Sequence, residues 1–182
     1  MKELSLHILD IVQNSIVANA KLIEIMIVEN KANNIYIISI KDNGKGMTIE
    51  MLANVTDPYC TSRNTRKVGL GIPLFKQNAE RAGGSFTIDS ALGKGTVLTA
   101  IFQHNNFDRP MLGDIAGVIV LTVAANENIH FIYTHTTETG EYIFDTDEIK
   151  EAMDGMSINQ PQVIRYLKEM IKENLTEIHY SN

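Results

Sequence analysis

Asp10 and Asn14 stand one helical turn apart in a segment whose apolar residues repeat with helical spacing, so a carboxylate and an amide oxygen project in the same direction. An amide oxygen is a neutral ligand suited to Mg²⁺, and a carboxylate can accept the proton of an attacking water. Two solvated polar residues would show the same spacing. Asp42 closes a β-branched run and is followed by Asn43-Gly44-Lys45-Gly46-Met47. The two glycines let backbone approach a ligand while the carboxylate accepts a hydrogen bond, for which an adenine amino group is a natural donor. A plain Asp-Asn-Gly turn is the ordinary alternative. Gly69-Leu70-Gly71 opens a predicted helix, which turns backbone N–H groups and the positive end of the helix dipole outward, where phosphates could sit. The polar stretch before it carries Thr61, Ser62, Arg63, Arg66 and Lys67. This spacing is neither a phosphate-binding P-loop nor a dinucleotide fingerprint. Gly93-Lys94-Gly95-Thr96 alone would pass for a hairpin turn. His7, near the Asp10 and Asn14 face, reads as an ordinary surface or supporting histidine.

These residues need elements to position them. Leu4, Ile8, Ile11, Val12, Ser15 and Ile16 share one side of a helix over residues 3–18. Residues 21–29 and 34–41 are short, β-branched and separated by a turn-prone stretch, which predicts a hairpin running straight into Asp42. A short helix is expected over residues 48–54, then a mobile polar loop over 56–67. Helical spacing returns at Gly71 and stops at Gly83-Gly84. Two alternating strands over residues 85–90 and 96–103 close this part. After the linker 104–110 a second unit is expected: a helix within 112–125, a hairpin from 129–135 and 141–145, a helix start at Asp145, and a last helix from Pro161 to near Leu175. The expected domains are therefore 1–104 and 105–182.

Composition bounds the function. With 44% hydrophobic and 21% charged residues, the chain is an ordinary globular protein that can bury a core. A net charge of -6 argues against a broad nucleic-acid or anionic-membrane footprint. The single Cys60 excludes an internal disulfide and suits a reducing compartment. No apolar run approaches the ~20 residues of a membrane span. The opening residues carry acids and amides where a secretory leader is apolar. The expectation is a cytoplasmic protein that binds neither nucleic acid nor membrane.

The order of the four elements, helix, strand-turn, loop-helix and turn-strand, resembles the GHKL superfamily, named for gyrase, the large heat-shock chaperone, histidine kinases and MutL. Residues 10–20 look like its N box, Asp42-x-Gly44-x-Gly46 its first glycine box, Gly69-x-Gly71 its second, and residues 93–96 its last glycine-Thr motif. The resemblance covers residues 3–103. It implies an α+β fold, a two-layer α/β sandwich of the Bergerat type with helices on a mixed β-sheet, here with a small C-terminal α+β unit. By the same resemblance Asn14 ligates Mg²⁺ and Asp42 reads the adenine amino group. Gly44, Gly46 and Met47 shape the pocket, Gly69, Leu70 and Gly71 hold phosphates, and Thr96 supports the adenine end through a water. Asp10 matches the catalytic acidic position, usually Glu in hydrolytic members, and is one methylene shorter. Residues 57–63, with Thr61, Ser62 and Arg63, and then Lys67, resemble the lid of sensor and anti-sigma kinases; Lys67-Val68 replaces the frequent small residue and Thr before the second box.

The N box begins almost at Met1, so no phosphoacceptor-histidine hairpin is expected. The C-terminal part does not resemble the transducer domain of gyrase or MutL. The resemblance thus implies an ATP- and Mg²⁺-binding regulatory kinase or ATPase of the anti-sigma-factor or histidine-kinase-like type. The alternative is a slow, nucleotide-gated module whose lid orders on ATP and docks a regulatory protein, and a third option is slow hydrolysis coupled to homodimerisation.

Overall fold

The structure is a computed structural model that describes residues 3–56 and 70–180. The elements run α1 (Leu4–Val17), β1 (Leu22–Asn30), β2 (Ile35–Asp42), α2 (Ile49–Asn54), α3 (Gly71–Arg81), β3 (Ser85–Ala91) and β4 (Gly95–Gln103). They continue as α4 (Ile115–Ala125), β5 (His130–Thr136), β6 (Glu141–Asp145), α5 (Thr146–Ala152) and α6 (Pro161–Tyr180). Element types agree with the sequence reading throughout, and α6 runs five residues beyond Leu175 because Ile178 continues the stripe of Leu167 and Ile171 into the core.

The strands form one six-stranded sheet in the order β3-β4-β2-β1-β5-β6. All neighbours are antiparallel except β1 and β5, which pair in parallel, so the sheet is mixed. Side chains alternate across a sheet with period two. On β2 this sends Tyr36, Ile38 and Ile40 into the core and, by the same parity, buries Asp42 at the strand's end. Leu98, Ala100 and Phe102 of β4 and Phe131 and Tyr133 of β5 face the same way. The helices α1, α3, α4 and α6 cover that face, giving two layers. Phe75 of α3 is wholly buried against Phe86 and Phe102, worth roughly 1.5–3 kcal/mol of apolar transfer.

The sheet is continuous across the boundary expected near residue 104. β5 pairs with β1 through Leu22↔His130 to Val28↔Thr136. The first turn of α1 is also held from beyond that boundary: Leu4 N–H donates to Met111 O and Ser5 N–H to Leu112 O, both at 2.8 Å. α4 is apolar nearly all round because it packs against both α6 and α1. Among the described residues no helix is long and apolar enough to cross a membrane.

Candidate functional site

A cleft of ≈ 610 Å³ opens between α1, the end of β2, the start of α3 and the near ends of β3 and β4. Its lining includes Asp10, Asn14, Asp42, Gly46, Met47, Leu70, Gly71 and Thr96. Residues far apart in sequence thus meet around one cavity. Of the other expected site residues, Gly44 stands behind the wall, while Thr61, Ser62, Arg63, Lys67 and Gly69 lie outside the described residues, as does the expected loop around them.

Asp42 is the best-defined group. Ser15 Oγ donates to its Oδ2 at 2.7 Å and the Gly44 N–H donates to its Oδ1 at 2.8 Å. Burial of this carboxylate follows from strand parity, and the hydrogen bonds offset its lost hydration. Both oxygens retain a lone pair for a further donor. Ser15, read from the sequence only as a small member of α1's buried stripe, is therefore the residue that aims Asp42. Its place directly after Asn14 was the available signal.

Two glycines of the turns are required by backbone contact. Gly46 has φ +66°, and a Cβ there would lie 2.0 Å from Ala91 O; at Gly95, with φ +90°, it would lie 1.9 Å from Asp42 O. Both turns are therefore packed backbone on backbone at the cleft rim. Ser90 ties them together by donating to Gly95 O at 2.8 Å and accepting from Met47 N–H at 2.9 Å. The Thr96 hydroxyl, 2.9 Å from Ser90 Oγ, belongs to the same network. Thr96 pairs with Asp42 across β4 and β2, so both face the cleft side by side.

α3 begins without a side-chain cap: Leu70 precedes it and offers no hydrogen-bonding atom. Its first-turn N–H groups therefore remain a positive end at the cleft. Asp10 packs against this turn, since a Cβ on Gly71 would stand 3.1 Å from both Asp10 Cβ and Oδ2. Burial raises the Asp10 carboxyl above the ordinary aspartate range, which makes it a better proton acceptor once ionised. Asn14 follows one turn later on the same helix. Amide and carboxylate oxygens are the hard donors that Mg²⁺ takes while keeping several waters, so Asn14 fits that ion and the neighbouring cleft fits a polyphosphate. Met51, Val55, Ile72, Ile88 and Leu98 give the cavity an apolar interior suited to a flat base, and Lys45 adds a cation to its lining. The five apolar residues lay outside the motifs read from the sequence, whereas Lys45 lies within the first glycine box.

Of the two places expected for His7, surface or supporting, the structure shows the supporting one. It is fully buried between α1 and α3, stacked on Phe75 with centroids 5.2 Å apart, and its Nε2 accepts from Asn78 Nδ2 at 2.8 Å. Burial lowers its pKa to about 4. The neutral ring is a packing group that joins the two helices flanking the cleft.

Residues 2–106 match the family described as histidine kinase-, DNA gyrase B-, and HSP90-like ATPase. Over 97 residues the chain is 36% identical to a sensor protein of Shewanella frigidimarina, a match covering 52% of this chain and 15% of that one. It is 30% identical over 94 residues to the sensor histidine kinase YvrG of Bacillus subtilis, covering 50% of this chain and 16% of that one. The chain thus spans less than a fifth of the length of these two relatives. Among solved structures, the Aquifex aeolicus MutL ATPase domain complexed with ADP superposes with a TM-score of 0.53 at 15% identity, over 85% of this chain and 70% of that one. That likeness is one of fold.

Proposed function

Because the chain belongs to the histidine kinase-, DNA gyrase B-, and HSP90-like ATPase family, we propose that its cleft binds Mg-ATP and that it acts as a regulatory kinase or ATPase of the anti-sigma-factor or histidine-kinase-like type. One observation carries this reading: Asp10, Asn14, Asp42, the start of α3 and Thr96 converge on a single cavity. In it Asp42 accepts the adenine amino hydrogen and the apolar interior takes the base. The α3 first turn receives phosphate oxygens, and Asn14 gives its amide oxygen to Mg²⁺, which supplies charge neutralisation at the phosphates. Asp10 receives the proton of the attacking water or hydroxyl. Residues 105–182 brace α1 and β1, and a regulatory protein partner is assigned to this part of the chain or to the lid-like stretch of residues 56–67. Titration calorimetry with Mg-ATP tests binding, and phosphate release by Asp10→Asn tests the chemistry. Binding retained with turnover lost is expected, and an unchanged rate would reject Asp10 as the base.

Asp10 also favours a second reading. A carboxylate one methylene shorter than Glu reaches less far toward a nucleophile, as a slow, nucleotide-gated docking module would have it. Turnover restored by Asp10→Glu at unchanged affinity would favour that reading.

A further inference from the structure

At the far end of β1 from Asp42, about 20 Å away along the strand, Glu29 gathers imidazoles from distant parts of the chain. Its Oε1 lies 2.8 Å from His135 Nε2 on β5 and 3.0 Å from His179 Nε2 in the last turn of α6. These three atoms all lie within 4.8 Å of one another. The other oxygen, Oε2, is held by His104 Nε2 at 3.2 Å. The Glu29 and His135 side chains are 11% and 0% exposed, while His179, at 28%, is open to solvent. None of these residues lines the nucleotide cleft.

The hydrogens at this cluster are constrained. His179 Nδ1 is bonded to the carbonyl of Leu175, one turn back, and a carbonyl oxygen can only accept. Nδ1 therefore carries the hydrogen, which leaves Nε2, 3.0 Å from the Glu29 carboxylate, as the ring atom free to hold a cation shared with that carboxylate. His135 Nδ1 lies 2.7 Å from the hydroxyl of buried Tyr133, an oxygen able to accept its hydrogen. Metal-bound histidines typically donate the distal ring N–H to just such an oxygen, which fixes the tautomer that ligates.

We propose that Glu29, His135 and His179 form a binding site for a divalent transition-metal ion of the zinc type, with His104 holding the carboxylate in place. Two imidazoles and one carboxylate are a donor set for Zn²⁺, Co²⁺ or Ni²⁺ rather than for Mg²⁺ or Ca²⁺, which take oxygen. Tetrahedral bonds of ~2.1 Å set donors about 3.4 Å apart, so the cluster accommodates the ion by small side-chain rotations. Glu29 and His179 also border a cavity of ≈ 50 Å³ together with Lys31, Thr137, Glu138 and Thr139, which has room for a water as a further ligand. Bound there, the ion staples the end of α6 to β1 and β5.

The test uses the untagged full chain carrying Cys60→Ser, which removes its one thiol, stripped with a chelator and titrated with Co²⁺ and then Zn²⁺. One equivalent of Co²⁺ should give ligand-field absorption that one equivalent of Zn²⁺ abolishes, with a raised melting temperature. His179→Ala and Glu29→Gln should each weaken binding by at least about tenfold. Absence of Co²⁺ bands and of Zn²⁺ heat up to about 1 mM in folded protein would overturn the site. Parent-like binding by both variants would overturn it equally.

Discussion

Ser15 Oγ donates to Asp42 Oδ2 at 2.7 Å, joining the C-terminal half of α1 to the last residue of β2. The Gly44 N–H completes the cradle. A carboxylate buried on the core face is thereby held by the protein's own donors and presents its remaining lone pairs to the cleft.

Asp42→Asn should weaken ATP binding by at least about tenfold, since a hydrogen bond to a charged group contributes ~1.5–3 kcal/mol. Calorimetry on protein with an unchanged circular dichroism spectrum is the check. Affinity equal to the parent's would remove adenine recognition from this residue.

Ser15→Ala deletes one of the two bonds that aim Asp42. Urea unfolding should show a loss of about 1 kcal/mol, and nucleotide affinity should fall by a smaller factor than in Asp42→Asn. An affinity loss as large as that of Asp42→Asn would mean Ser15 touches the ligand itself.

Gly46 and Gly93 both have positive φ, yet only Gly46 is crowded: a Cβ there meets Ala91 O at 2.0 Å, whereas Gly93 has open space. Gly93→Ala should cost only ~1 kcal/mol, the left-handed backbone penalty. Gly46→Ala should cost more than about 2 kcal/mol and also weaken nucleotide binding. Equal costs for the two would show that the turns are not packed as described.

His7 makes stability depend on pH in a defined direction. Its folded pKa of about 4 lies below the ordinary 6.5, so the unfolded chain binds the extra proton between those values. Its contribution is intact above pH 6.5 and is lost as pH falls toward 4, by up to about 3 kcal/mol. Denaturation midpoints across that window should slope downward in the parent and flatten in His7→Leu. A slope unchanged by the substitution would assign the titration elsewhere.

The local signals in the sequence determined the element types and the glycine-rich turns that border the cleft. Helical spacing set α1 and α3, alternation set the strands, and Asp42-x-Gly44-x-Gly46 named its own turn, because periodicity and turn chemistry act over a few residues. Only the tertiary structure decided which neighbours those elements acquire. The parallel pairing of β1 with β5 carries the sheet across residue 104, and no local pattern encodes a contact spanning about a hundred residues. Strand parity together with the docking of α1 buried Asp42 beneath Ser15. The packing of α1 on α3 decided between the surface and supporting positions left open for His7 and put it in the core. Glu29 and its histidines were invisible as a motif for the same reason: they lie on β1, after β4, on β5 and at the end of α6, and become neighbours only when sheet pairing and helix docking bring those ends together.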